Sequence, residues 1–181
     1  MDILKKNFFE LFNINISIDI NKSELDEKVK IFQTQFHPDK YANGSDLEKR
    51  LALQISSHVN DGYKVLGDIV LRIEYILKIN NFTKDESKTI NDINFLREQI
   101  EYNELVESLE ENFDKDIIDE HLSKIRLLLK NTIDSIKLFF DSEDYENMWQ
   151  NLSKLRFYTK NINELIKMRN KRVCFKYQTL L

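Results

Sequence analysis

The chain of 181 residues contains a single proline, Pro38, and only three glycines. So few breakers leave long helices as the structures most compatible with the sequence, because proline and glycine are the residues that interrupt them. The one proline lies in His37-Pro38-Asp39-Lys40, directly after a helix-like stretch and before the polar cluster Tyr41-Ala42-Asn43-Gly44-Ser45. Proline lacks a backbone N–H and disfavours helical geometry in the residue before it, so a helix running through Phe36 should end here. His37 and Asp39 are then held on a tight corner with side chains open to a partner.

Composition agrees. Hydrophobic residues make up 41% and charged residues 32%, the balance of an all-α protein with amphipathic helices. The length suits one larger domain or two small ones, burying roughly 70% of the unfolded surface if compact. A net charge of -4 and a pI near 5.5 lack the basic footprint of a nucleic-acid binder. Cys174 is the only cysteine. It can form no intrachain disulfide or cysteine-rich zinc site, and it suits a reducing compartment. Charged residues interrupt every apolar run short of a membrane span. The first ten residues have neither a signal-peptide core nor the Arg-rich, acid-poor character of a transit peptide. These features predict a cytoplasmic protein.

Hydrophobic spacing sets the element order. Phe8, Phe9, Leu11 and Phe12 form a first short helix, and Asn21 and Ser23 cap a second. Its stripe is Leu25, Val29, Phe32 and Phe36. Lys28 and Lys30 lie off that stripe. Ser45 or Asp46 caps a third helix expected to run to about Ile79, with Leu51, Ile55, Val59, Tyr63, Leu66 and Val70 on its buried face. Gly62 inside this helix costs about 1 kcal/mol relative to alanine, which marks a place where another helix backbone passes close. Asn80, Asn81 and the polar stretch Thr83 to Thr89 break the periodicity, which divides the chain into residues 1–81 and 82–181. Helices from about Ile90 to Asn112, Lys115 to Phe140 and Asp144 to Arg172 follow. Three such helices with short connections are expected to pack as an antiparallel bundle.

The segment Val59-Asn60-Asp61-Gly62-Tyr63-Lys64-Val65-Leu66, followed by Asp68, Arg72 and Tyr75, resembles the third helix of a J-domain. With the His-Pro-Asp corner, the resemblance covers residues from about Phe8 to Ile79. It departs in Gly62, where alanine is usual, and in Ile69, where proline often follows the aspartate. The loop at Tyr41–Ser45 and the run Arg72-Ile73-Glu74-Tyr75-Ile76-Leu77 are similar to the HscB-type co-chaperones of iron-sulfur cluster assembly. In the second half, Asn94-Phe95-Leu96-Arg97-Glu98-Gln99-Ile100-Glu101 and Lys154-Leu155-Arg156-Phe157 resemble the segments with which that family holds its IscU-type scaffold protein.

The resemblance implies an adaptor with no active site and no cofactor. His37, Pro38, Asp39 and Lys40, with Lys28 and Lys30, would contact a DnaK-type, HscA-like chaperone and stimulate its ATPase. Leu96, Ile100 and Phe157 would supply apolar contacts to the IscU-type scaffold, and Glu101 and Glu104 acidic ones. Arg97 stands where the family often has an apolar residue, and Ser108 where it often has another acid. No paired-cysteine zinc module precedes the corner, which favours a cytoplasmic, bacterial-type member over one of the mitochondrial matrix.

From spacing alone, Leu96, Ile100 and Phe157 read as bundle core more readily than as a docking surface. Trp149, Phe139 and Phe140 read as core as well. Glu101 to Glu120 holds nine acids and one lysine and reads as a solvated face. His58 and His121 are isolated and make no metal set with His37. Three rivals stand beside the main reading. They are a J-domain co-chaperone with a different client, a helical enzyme using His37 and Asp39 as an acid-base pair, and a structural adaptor in which the corner has no role.

Overall fold

The computed structural model describes residues 3–83 and 92–178, excluding the side chains of Pro38 and of residues 171–178. Every described element is helical, and the chain divides into two compact units, Met1–Thr83 and Lys84–Leu181.

In the first unit a 3-10 turn at Ile3–Lys5 precedes α1 (Phe8–Leu11), α2 (Lys22–Phe36), a 3-10 turn at Pro38–Tyr41, α3 (Asp46–Gly67) and α4 (Ile69–Ile79). The starts are capped by their own sequence. Asn7 caps α1 in a full capping box with Glu10, and Ser45 caps α3 in another with Glu48. The Asn21 side chain accepts from the Ser23 and Glu24 amides to start α2. Asn13 and Asn81 end α1 and α4 at φ of 49° and 56°, left-handed positions that asparagine tolerates better than most residues. α2 and α3 form the hairpin, α1 lies on α3, and Phe9, Phe12, Leu25, Leu66, Ile73 and Ile76 are among the buried core.

Three expectations for this unit are corrected. The helix predicted to run on to Ile79 is interrupted at Asp68, whose backbone is extended (φ −101°, ψ 127°) and whose carboxylate accepts from the Val70 and Leu71 amides. Asp68 thus starts a new helix where the old one ends. Leu51 is 46% exposed, while Ala52, Ile55, Val59, Gly62 and Leu66 are buried. Successive steps of four residues drift about 40° each around a helix of 3.6 residues per turn. The series Leu51, Ile55, Val59, Tyr63 therefore slides off the core at both ends. At Gly62 the close approach is by side chains and not by backbone. An added Cβ would lie 2.9 Å from Phe12 Cε2 and 2.9 Å from Phe8 Cδ1.

The second unit comprises α5 (Ile93–Glu111), α6 (Lys115–Asp141) and α7 (Tyr145–Gln178). Ile90, the expected start of its first helix, and most of the polar boundary stretch lie outside the described residues. The described helix begins after Asp92, whose carboxylate accepts from the Phe95 amide. α7 continues past Arg172 to Gln178, because no glycine or proline follows to stop it. The side chain of Cys174 lies outside the described residues.

α6 and α7 pack antiparallel and close, pinned at one end by Arg169 to Asp119 at 2.8 Å. α5 is held further off, on large aromatic side chains. Phe95 meets Phe157 edge-on at 5.4 Å, and Tyr102 meets Phe157 at 5.7 Å. Phe95, Tyr102, Leu109, Ile118, Leu122, Ile125, Tyr158 and Leu165 form the bundle core. Trp149, Phe139 and Phe140 are half-buried, at the edge of the core more than within it.

Candidate functional site

The corner after α2 is built by backbone capping. His37 is the last residue of the approach, with extended geometry (φ −61°, ψ 127°), and Pro38 takes the first position of the 3-10 turn, where its missing N–H costs nothing. The Lys40 amide donates to the His37 carbonyl at 3.0 Å, and the Gly44 amide to the Tyr41 carbonyl at 2.9 Å. Tyr41 reaches back with its hydroxyl to the Gln35 carbonyl at 3.3 Å, closing the corner against the end of α2.

His37 Nδ1 accepts from the Asp39 amide at 3.3 Å and lies 3.6 Å from an Asp39 carboxylate oxygen. The two contacts exclude one another at that nitrogen. With Nδ1 accepting the amide, the carboxylate oxygen at 3.6 Å lies beside that nitrogen without a hydrogen bond to it. The side chains of His37 and Asp39 are 56% and 89% exposed. Both are therefore open to solvent. Such a geometry presents polar groups to a partner.

The three lysines assigned to this surface separate. Lys30 and Lys40 are exposed. Lys28 is instead turned inward on its own unit, donating to the Asn13 carbonyl at 2.7 Å and pairing with Glu24 at 2.6 Å. Its ammonium fastens the α1–α2 loop to α2.

At the end of the hairpin away from the corner sits a core staple whose role sequence reasoning passed over. Arg72 is buried, donating from Nε to the Leu66 carbonyl at 2.7 Å and from the guanidinium fork to the Ile18 carbonyl. Burial pushes its pKa down, against the opposing charges of Asp19 and Asp68. A lone arginine within the apolar run of α4 was the available signal.

On the second unit the residues assigned to a scaffold protein fall on different flanks of α5. Leu96 and Ile100 are 51% and 58% exposed, so they are surface and not the bundle core that spacing alone favoured. Phe157 is half-buried beneath α5, packed on Phe95, Tyr102 and Tyr158. It lines open clefts on both sides of the helix. One is shared with Glu98, Glu101, His121 and Lys124, the other with Asn103, Glu107, Lys160 and Glu164. Glu101 therefore faces the α6 side, while Asn103 and Glu107, on the helical face of Leu96 and Ile100, face the α7 side. Glu104 is exposed on the outside of α5.

What holds α5 in place was also not apparent from the sequence. Asp92 pairs with Lys154 at 2.6 Å, Tyr158 donates to Glu98 at 2.6 Å, and Tyr102 donates to Glu164 at 3.1 Å. The Lys154 contact, with the Phe95 amide, holds the Asp92 carboxyl below its ordinary range. Burial, then the neighbouring glutamates, push both phenols up. His121 accepts or donates only within its own helix, at the Ile117 carbonyl, and His58 meets the Lys6 carbonyl and the Phe8 ring. Among the described residues no cluster of His, Cys, Asp or Glu is arranged to hold a metal, and no helix is long and apolar enough to cross a membrane.

Comparisons with known proteins fit this geometry. The family model described as the HSCB C-terminal oligomerisation domain matches residues 91–166. The co-chaperone protein HscB homolog of Shewanella woodyi is 40% identical over 120 residues, covering 65% of this chain and 69% of that protein. The homolog of Colwellia psychrerythraea is 32% identical over 162 residues, or 85% and 91% of the two chains. Among solved structures, chaperone HscB from Vibrio cholerae superposes with a TM-score of 0.83 at 26% identity, over 92% of this chain and 99% of that one. Human co-chaperone protein HscB gives 0.78 at 27% identity, over 93% and 83%. An all-helical chain with a hairpin ending in an exposed His-Pro-Asp corner, followed by a three-helix bundle, is a co-chaperone of the J-domain class. Within that class the chain belongs to the HscB family.

Proposed function

We propose that the protein stimulates ATP hydrolysis by a DnaK-type, HscA-like chaperone through its corner, and that its bundle delivers an IscU-type scaffold to that chaperone in iron-sulfur cluster assembly. The observation that carries this reading is the exposure of two chemically different surfaces on separately compact units. One is the polar corner of His37, Asp39, Lys40 and Lys30. The other is the outer surface of α5, with Leu96 and Ile100 apolar on one flank, Glu104 outside and Glu101 acidic on the other flank. Phe157 supports the second surface from below. Holding client and chaperone on one chain raises their effective concentration, so that two weak contacts act together. Lys30 and Lys40 steer association toward an acidic chaperone surface. All of this would take place in a bacterial-type cytoplasm.

Steady-state ATP hydrolysis by the HscA-like chaperone, measured with this protein, with the scaffold and with both, tests the reading. Stimulation by the protein that rises further with scaffold supports it. Stimulation indifferent to scaffold keeps the chaperone contact and removes the client. Arg97, exposed on the same helix, is the observation that favours a different client as the second reading.

A further inference from the structure

Three large apolar side chains stand out of one side of α5. Ile93 is 72% exposed, Leu96 51% and Ile100 58%. Spacings of three and four residues bring them together along the helix. Arg97 falls four residues after Ile93 and three before Ile100, so it borders this patch on the side of Ile93. It is exposed, and no described ion pair engages it. Glu101 and Glu104 follow on the next turns.

A partner that covers Ile93, Leu96 and Ile100 must also strip water from Arg97. A guanidinium desolvated without a counter-charge is strongly penalised, which offsets the gain from covering the three apolar side chains. A carboxylate offsets that loss best, because its two oxygens match the planar fork. Pairing within the helix to Glu101 is the competing outcome. An arginine four residues before a glutamate is the less favourable order for such a pair, and the two side chains make no contact here.

We propose that Arg97 is a specificity-determining residue of the α5 face, and that the protein docked there presents a carboxylate seated beside apolar groups, with basic groups toward Glu101 and Glu104. This rests on the reading of α5 as the scaffold-docking face and assigns the partner chemistry at the edge of its apolar patch. A scaffold with an apolar residue opposite Arg97 binds poorly, and one with an aspartate or glutamate there binds well.

The experiment is calorimetric binding of the IscU-type scaffold from the same cell to the full-length chain and to Arg97→Glu, Arg97→Leu and Leu96→Ala/Ile100→Ala, each checked for native helicity. Scaffold carboxylates are reversed to lysine one at a time. The expected result is at least about a tenfold loss for Arg97→Glu at low salt, a smaller loss for Arg97→Leu, and one scaffold reversal that weakens the native pair yet restores binding to Arg97→Glu. If Leu96→Ala/Ile100→Ala weakens binding but Arg97→Glu does not, or if no scaffold reversal couples to Arg97, the inference is overturned and the docking reading survives. If none of these variants changes the affinity, the scaffold does not dock on this face and both are overturned.

Discussion

Arg72 donates from its guanidinium fork to the backbone carbonyl of Ile18, 54 residues earlier in the chain. The same side chain donates to the Leu66 carbonyl, so one buried cation ties the loop before α2, the end of α3 and the start of α4 together. Arg72→Ala leaves two carbonyls short of a donor and should lower the stability of the first unit by about 3 kcal/mol. Arg72→Lys should recover only part of this, since an ammonium cannot reproduce the fork. Urea denaturation followed by circular dichroism reads both, and a lysine variant as stable as the native chain would remove the fork from the explanation.

Gly62→Ala gains about 1 kcal/mol of helix propensity but places a Cβ 2.9 Å from ring atoms of Phe8 and Phe12. Phe12 is 1% exposed and cannot swing away. Overpacking of this kind costs about 1–3 kcal/mol, so a net destabilisation of about 1 kcal/mol is expected. A thermal midpoint equal to or above that of the native protein contradicts it.

Tyr102 and Tyr158 keep their protons to higher pH when folded than when unfolded, first because of burial and then because of Glu164 and Glu98. A group whose folded pKa is raised contributes stability that is complete below the unfolded value, about 10 for tyrosine, and lost as pH rises toward the folded one. Bundle stability should therefore fall with increasing pH above about 10. Tyr158→Phe should flatten that slope while removing the bond to Glu98. Equilibrium unfolding at a series of alkaline pH values gives the slope, and identical slopes for the two proteins would refute the assignment.

Leu96→Ala/Ile100→Ala should change bundle stability by no more than about 0.5 kcal/mol per site, because both side chains are already in water. Phe157→Ala removes a ring packed on Phe95, Tyr102 and Tyr158 and should cost about 3 kcal/mol. The first variant is thus a clean probe of docking, whereas the second mixes docking with packing. Melting both alongside a scaffold titration separates the two effects, and an unperturbed melt for Phe157→Ala would show that its ring is not part of the core.

His37→Gln keeps a hydrogen-bonding side chain at the corner and should leave helicity unchanged, since the ring is over half exposed. It should abolish stimulation of the chaperone ATPase while scaffold affinity stays native. Loss of both activities together would mean that the two surfaces are not independent.

The all-helical class, the caps at Asn21 and Ser45 and the break at Pro38 were legible because they depend on neighbouring residues alone. A side-chain oxygen two or three residues from an open amide, or a missing N–H, acts whatever the rest of the chain does. Asp68 was noted for the resemblance, but its role as a helix cap was not, because its neighbours continue the apolar pattern. Only its extended backbone shows that its carboxylate caps a new helix.

Periodicity identified the helices apart from the break at Asp68, the single proline marked the corner, and the resemblance directed attention to α5. Periodicity could not say which of two adjacent apolar stripes meets the core, because Leu51 and Ala52, or Phe95 and Leu96, differ by one step of rotation and the partner helix chooses between them. That choice, the inward turn of Lys28, the split of Glu101 from Leu96 across α5, and the Arg72 staple rest on contacts between residues far apart in the chain. Helix class and caps follow from local backbone chemistry. Which side chains are left facing water, and so remain for a partner, was decided only when the helices packed.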